Sequence, residues 1–166
     1  AALYQELIEL SGIYYGSEET DEEFTRLLSV ASLLRQNYDE SNYSALGAGI
    51  VAAQAVERSD FDLAIGQLTY AYDTLTTPEL KALISLRLAR LELELGEFDA
   101  AFARIQSIAQ PEFEASKLEL EGDISVAQGA EERARIQYLE AKKLLASQAL
   151  NTAVVDLKLS SLPEGH

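Results

Sequence analysis

The side chains of this chain that could take part in chemistry are almost all carboxylates. Its 166 residues include 28 Asp and Glu, no Cys and one His, His166. Cysteine nucleophiles and thiolate zinc sites are therefore excluded. Histidine acid–base chemistry and histidine zinc sites have no interior candidate. A carboxylate-dependent hydrolase is the catalytic alternative, but no glycine-rich phosphate loop, nucleophile elbow or metal-ligand spacing accompanies the acidic residues. We expect no enzyme, no metal, no cofactor and no small-molecule substrate.

The strong negative charge restricts the possible partners. Lys and Arg number 13 against 28 acidic residues, so the net charge is −15 and the pI is about 4.3. Phosphate backbones and anionic lipid surfaces repel such a chain, so no nucleic-acid partner is expected. The longest nearly uncharged apolar run, residues 45–56, is too short to cross a bilayer, which needs roughly 20 residues.

Helices are expected to carry these side chains. Leu and Ala far outnumber the β-branched residues, which favours helix over strand. Apolar residues recur at three- and four-residue spacing, as in residues 80–91, which is typical of helices with one buried face. The chain is therefore predicted to be all-α, with about nine helices joined by short connections that make neighbours antiparallel. The predicted breaks lie at 16–20, 38–42, 59–60, 76–78, 96, 110–111, 129 and 147–151, and the predicted hairpins span roughly 1–38, 42–75, 78–109 and 111–146, followed by a capping helix at 149–162.

Local signals indicate how three of these helices begin. Thr77 offers a side-chain oxygen to free N–H groups, Pro78 fits the first helical position, and Glu79 complements the positive end of the helix dipole. A second start of this kind is predicted at Pro111. The acidic run at 18–23 lies where another helix begins, and we interpret it as complementing the dipole there rather than as a binding tract.

One turn pattern occurs three times. The segment SDFDLA at 59–64 recurs as GEFDAA at 96–101 and more faintly as GAEERA at 129–134. The spacings of 37 and 33 residues bracket the period of about 34 residues found in tetratricopeptide repeats. Small residues keep the same phase and are predicted to let helices approach closely: Ala52, Ala89 and Gly122 in the first helices, and Ala64, Ala101 and Ala134 in the second. The predicted fold is a tetratricopeptide-like right-handed solenoid of antiparallel helical hairpins, as one domain over 1–166.

Beyond the repeat, specific segments resemble one family. Residues 80–90 read LKALISLRLAR and are followed by an alternating Leu and Glu stretch up to Gly96. This segment closely resembles the YfgM family. The resemblance continues in chain order through residues 1–10, 42–48 and 118–129, so nearly the whole chain is covered. The first loop, which begins at 13–16, is longer and more charged than the family pattern suggests.

The resemblance implies a function, a location and partners. Proteins of the YfgM family have one membrane helix and a periplasmic tetratricopeptide-like domain, and are described as ancillary subunits of the SecYEG translocon that associate with the chaperone PpiD. It implies that this chain is the periplasmic domain, at the inner membrane of a bacterium, with an N-terminal membrane helix missing from it. It implies a non-catalytic scaffold that links PpiD-like chaperones to the SecYEG translocon during protein export. The alternative is a generic tetratricopeptide adaptor for an unrelated peptide or protein.

A concave groove is the expected partner site. In tetratricopeptide arrays the first helix of each pair lines the concave wall. The repeat phase directs Leu46, Gly49, Ala53, Leu83, Leu86, Arg90, Glu119 and Asp123 toward it. A partner segment would lay apolar side chains on the leucines while Arg90 pairs with a carboxylate. In the alternative, Leu83 and Leu86 pack against the preceding hairpin, and Arg87 and Arg90 form ion pairs with nearby carboxylates.

Tyrosine provides a second candidate surface. Six tyrosines of the N-terminal half are Tyr14, Tyr15, Tyr38, Tyr43, Tyr70 and Tyr72. They would either form an aromatic patch beside the acidic first loop or wedge between helices with their hydroxyls at the surface.

Overall fold

A computed structural model describes residues 2–13 and 21–163. Over these ranges the chain forms nine α-helices, one short 3-10 helix and no strand. The helices are α1 (Ala2–Ile13), α2 (Asp21–Asn37), α3 (Asn42–Glu57), α4 (Phe61–Thr74), α5 (Pro78–Glu94), α6 (Phe98–Gln106), α7 (Glu114–Ala127), α8 (Glu131–Ser147) and α9 (Ala153–Ser161). The all-α prediction is thus confirmed. Each predicted break coincides with a connection between two helices and overlaps a neighbouring helix by at most one residue, except that the break at 16–20 lies outside the described residues.

The helices form two compact units, Ala1–Ile84 and Ser85–His166. In the first unit α1 packs against α2 and α3, and α3 packs against α4. Its core centres on Leu7, Leu10, Leu27, Val30 and Val51. In the second unit α7 packs against α6 and α8, and α8 packs against α9. Its core includes Ala134, Tyr138, Ala141, Val155 and Leu162. The single domain over 1–166 stays a prediction.

Four helices end in the same backbone turn. Gly96 and Gly129 adopt positive φ angles of 77° and 72°, and Ser59 and Ala149 adopt 59° and 54°. In each turn two N–H groups reach back to the helix, as when Gly96 N donates to Leu93 O at 3.0 Å and Glu97 N donates to Glu92 O at 2.7 Å. This pattern is the Schellman motif, which closes a helix by satisfying its last carbonyl groups. The predicted turns at 59, 96 and 129 are confirmed, and Ala149 adds a fourth.

Glycine substitution at Ser59 or Ala149 is expected to stabilise the protein. A residue with a Cβ is strained at positive φ, whereas glycine is not, although glycine also has more freedom to lose on folding. We expect Ser59→Gly and Ala149→Gly each to raise the free energy of unfolding by about 0.5–1 kcal/mol, measured by urea denaturation. Gly96→Ala should lower it by about 1 kcal/mol. Equal stabilities for all three variants would contradict this account of the turns.

The predicted small positions are buried. Ala52, Ala64, Ala89, Ala101 and Ala134 expose almost no surface, and Gly122 is buried as well. At Gly122 the space that a Cβ would occupy is filled by the ring of Tyr138, with Cε1 only 2.2 Å from the Cβ position. These residues therefore act in packing, as the repeat phase predicted.

Two helix starts follow the sequence signals and one departs from them. Asp21, Glu22 and Glu23 lie in the first turn of α2, where negative charge is favoured, while the rest of the acidic run lies outside the described residues. Helix α5 begins at Pro78 as predicted. Pro111, however, begins a 3-10 helix over Pro111–Phe113, because the Glu114 N–H bonds to the Pro111 carbonyl three residues back and tightens the first turn.

Candidate interaction surfaces

The predicted groove residues on α3 and α5 differ in accessibility. Ala53, Leu83 and Arg90 are exposed, Leu46 is half-buried, and Gly49 and Leu86 are buried. Burial of Gly49 and Leu86 suits packing better than contact with a partner. The exposed residues remain available, and their assignment to a partner groove stays a prediction.

Two exposed arginines on α5 are candidates for partner contact. Arg87 and Arg90 are both exposed, and they are three residues apart, so they are neighbours on the helix surface. The alternative interpretation required both arginines to form ion pairs with nearby carboxylates. Within residues 2–13 and 21–163 neither of them does. Sequence reasoning assigned Arg87 only to that alternative. The structure places it beside Arg90 as a second accessible guanidinium.

The last two predicted groove residues are joined by a lysine of the C-terminal helix. Lys158 on α9 donates to Glu119 Oε1 at 2.6 Å and to Asp123 Oδ2 at 2.7 Å, so one ammonium bridges two carboxylates of α7. All three side chains are less than one-third exposed. Glu119 and Asp123 do come together, as their spacing of four on a helix requires. A partner cation would have to compete with Lys158 for them.

Tyr138 on α8 completes this cluster. Its hydroxyl donates to Asp123 Oδ1 at 2.7 Å, and the Lys158 ammonium lies 5.9 Å from its ring centre. Burial raises the pKa of the Tyr138 phenol well above its usual range, and the bond to Asp123 and the charges of Asp123 and Glu119 raise it further. The phenol therefore stays neutral and remains a donor. The Glu119–Asp123–Tyr138–Lys158 cluster links α7, α8 and α9.

A cleft of about 380 Å³ lies between α6, α7 and α8. Phe98 and Phe102 line one side. On the other side the buried Ser125 hydroxyl accepts from Arg133 Nε at 3.0 Å and donates to Gln137 Oε1 at 2.7 Å. These three polar side chains bond to one another, and the wall of the cleft combines the half-exposed Phe102 ring with further polar side chains. Sequence reasoning did not identify this cleft, because its lining residues have no shared spacing.

The tyrosines divide between two roles. The ring of Tyr70 lies 3.6 Å below the Arg35 guanidinium, and its hydroxyl donates to Asp39 Oδ1 at 3.2 Å. This arrangement fits the wedge interpretation. Tyr38 and Tyr43 are exposed, and Tyr43 makes an edge contact with Tyr4 at 5.5 Å between ring centres. Tyr72 lies beneath Lys81, while Tyr14 and Tyr15 lie outside the described residues. The aromatic patch beside the first loop stays a prediction.

The basic side chains of the first compact unit contact carboxylates and aromatic rings of the same unit. Residues 1–84 contain four Lys and Arg against 14 Asp and Glu. Arg26 pairs with Glu6 at 3.0 Å, Arg58 pairs with Asp21 and covers the Phe24 ring, and Arg35 and Lys81 cover tyrosine rings. The unit therefore presents an excess of negative charge. Such a field favours a basic partner surface.

Across the described segments, no helix combines the length and the hydropathy that a bilayer span requires.

Comparison with known proteins gives a consistent result. Residues 1–164 match a family model described as a tetratricopeptide repeat-like domain. Three relatives are named "Ancillary SecYEG translocon subunit": one from Aggregatibacter actinomycetemcomitans, 30% identical over 76% of this chain and 61% of the relative; one from Haemophilus influenzae, 29% over 67% and 53%; and one from Escherichia coli K12, 27% over 75% and 60%. The chain thus spans between about half and about three-fifths of each relative's length. No solved structure gives a significant match.

These matches bear on the predictions from sequence. The resemblance to ancillary SecYEG translocon subunits is confirmed by the names of the relatives. The tetratricopeptide-like class is confirmed by the family model, which covers nearly the whole chain and agrees with the repeated helix–turn–helix pattern at 59, 96 and 129. With nine described helices and the family match over 1–164, the chain belongs to the family of tetratricopeptide repeat-like domains.

Proposed function

We propose that this domain is a non-catalytic interaction scaffold of the protein-export machinery. It links a PpiD-like chaperone to the SecYEG translocon on the periplasmic side of the bacterial inner membrane. The observation that carries the proposal is the shared name of its relatives, "Ancillary SecYEG translocon subunit", found along 67–79% of this chain. A tetratricopeptide-like domain suits this role because its packed helices supply extended surfaces for protein partners.

Two features of the surface support binding to a protein. The first unit carries a strong negative excess with its cations already engaged internally, which favours a basic partner surface. In the second unit Arg87 and Arg90 are exposed and form no ion pair within the described part of the chain, so they are available for a partner carboxylate.

Affinity purification from detergent-solubilised bacterial membranes tests the proposal. The tagged protein should recover translocon subunits and a PpiD-like chaperone, identified by mass spectrometry. Arg90→Glu should reduce recovery roughly tenfold, because reversing one contact charge costs about 1–2 kcal/mol. Lys143→Glu is the matched control, since Lys143 is an exposed cation on α8 and undergoes the same change in charge.

The outcomes separate the parts of the proposal. Failure of the wild-type protein to recover any translocon subunit would contradict the scaffold role and favour an adaptor for an unrelated partner. Recovery of the translocon without a chaperone would remove the chaperone link. Equal recovery by Arg90→Glu and Lys143→Glu would remove Arg90 from the contact surface.

A further inference from the structure

The cleft between α6, α7 and α8 has an apolar side that is open to solvent. Its volume of about 380 Å³ lies at the lower end of the range of ligand pockets. Phe98 and Phe102 of α6 and the buried Ile124 of α7 line this side, and the Phe102 ring is 47% exposed. A ring left open in a cavity offers apolar surface that a ligand can cover.

The polar side of the cleft ends in a carboxylate that only neutral groups contact. Arg133 Nη2 donates to Gln128 Oε1 at 2.7 Å at one end of this side. At the other end the Glu121 carboxylate accepts from the Gln137 amide at 3.2 Å and from the Gln106 amide at 2.5 Å. Both donors to Glu121 are uncharged, so no cation balances its negative charge.

Carboxylates outnumber cations around the cleft. Asp99 lines it three residues before Phe102, so the acid and the ring share one face of α6. An adjoining hollow shares Asp99 and adds Glu97. Over residues 2–13 and 21–163, none of Glu97, Asp99 and Glu121 forms an ion pair. Arg133 is the one cation among the described lining residues, and two of its N–H groups already donate to neutral oxygens. The local charge therefore favours a cationic ligand.

The acid and the ring occur together in one of the three repeated turns. In the turn at 96–101 Asp99 is followed three residues later by Phe102. The equivalent positions after the turn at 59–64 hold Asp62 and Ile65, and after the turn at 129–134 the position of the ring is occupied by Arg135. The repeated fold therefore does not require an aromatic ring beside an acid at this place.

We propose that this cleft binds an arginine side chain of a partner protein. The apolar stem of the arginine lies along Phe98 and Ile124, and its guanidinium stacks on the Phe102 ring and pairs with Asp99. Arginine suits the cleft better than lysine, because a flat guanidinium can stack on a ring and donate to a carboxylate at the same time.

Two other occupants match the cleft less well. An acidic side chain could pair with Arg133, but Asp99 and Glu121 would repel it. An uncharged apolar side chain could cover Phe102, but it would displace water from the carboxylates without giving them a counter-charge. This inference does not depend on the proposed link to the translocon, since it uses none of the residues proposed for that contact.

Titration with short peptides, followed by NMR of the isotope-labelled protein, tests the proposal. The probe is a capped peptide with one arginine between glycines and serines. A single side chain binds weakly, with a dissociation constant on the order of 1 mM, which NMR can measure. Matched peptides carry citrulline, which keeps the shape without the charge, lysine, which keeps the charge without the plane, or glutamate.

The protein variants separate the ring from the acid. Phe102→Leu keeps an apolar side chain and removes the ring, and Asp99→Asn removes the charge. Both positions are exposed, so the variants should fold, which circular dichroism checks. Asp62→Asn is the matched control, because Asp62 is exposed and occupies the equivalent place in the first turn of α4.

The proposal predicts a specific pattern of binding. The arginine peptide should shift the NMR signals of the cleft residues and bind the wild-type protein and Asp62→Asn equally. Phe102→Leu and Asp99→Asn should each weaken its binding roughly fivefold, and the lysine and citrulline peptides should bind the wild-type protein more weakly than the arginine peptide. Equal binding to Asp99→Asn and Asp62→Asn, or equal binding of the arginine and citrulline peptides, would overturn the proposal. Tighter binding of the glutamate peptide would assign the cleft to an anion held by Arg133 and would also overturn it.

Discussion

Replacing Gly122 by alanine is expected to lower the free energy of unfolding by about 2–4 kcal/mol, the upper range of overpacking costs. The added Cβ would lie 2.2 Å from Cε1 and 2.5 Å from Cδ1 of Tyr138, far inside van der Waals contact. The ring cannot move away cheaply, because it is buried and its hydroxyl is bonded to Asp123 at 2.7 Å. Helix α7 or α8 must therefore shift. Urea denaturation followed by circular dichroism measures the loss.

A second glycine isolates the steric effect. Gly66 also lies inside a helix, but nothing stands within 4 Å of its Cβ position. Gly66→Ala should therefore stabilise the protein by about 0.5–1 kcal/mol through helix propensity alone. Combining Gly122→Ala with Tyr138→Leu should cost less than the two single changes together, because the smaller side chain relieves the overlap. Equal and positive effects of alanine at both glycines would show that α7 and α8 do not pack this closely.

The two glycines also show what sequence reasoning can reach. The repeat phase identified Gly122 as a packing position, because small residues recur seven places before each turn at 59, 96 and 129. It did not identify Tyr138 as the side chain that fills the space. Sequence spacing fixes which residues face a neighbouring helix, whereas the side chain that fills a gap depends on how the two helices rotate and slide against each other.

The turns show a similar division. Gly96 and Gly129 are clear turn signals, and Ser59 was found because it shares their phase. Ala149 lies in the predicted break at 147–151, but it adopts the same positive φ without glycine, so no residue type marked it as the turn position. The 3-10 start at Pro111 was missed because proline at a helix start fits both helix types. Local propensity predicted where helices end more reliably than how their backbones close.

The acidic pair on α7 marks the limit of the prediction for the site. Glu119 and Asp123 were expected to face a partner, and their spacing on one helix face was correct. Their actual neighbour, Lys158, is 39 residues beyond Glu119 in sequence. No local pattern connects a lysine on α9 to a carboxylate on α7, since only the packing of α9 brings them together.

Replacing Lys158 by methionine is expected to lower the free energy of unfolding by about 2 kcal/mol, less than the loss for a fully buried pair. Methionine keeps much of the apolar stem and removes the ammonium. Glu119 and Asp123 would then face each other without a counter-charge in a site that is less than one-third exposed. Since Lys158 links α9 to α7, amide hydrogen exchange should rise across residues 153–161 before the unit unfolds.

A second lysine that pairs with α9 provides the control. Lys142 and Asp156 lie 2.6 Å apart, but each is more than two-fifths exposed, so Lys142→Met should cost clearly less than Lys158→Met. Glu119→Gln in the Lys158→Met background should restore part of the stability, because it removes the repulsion between the two carboxylates. Added salt should abolish the loss of stability caused by Lys142→Met at a lower concentration than the loss caused by Lys158→Met, since water and ions screen the exposed pair better. Equal costs for the two lysines would mean that the bridge over Glu119 and Asp123 is an ordinary surface pair and that these carboxylates are free for a partner.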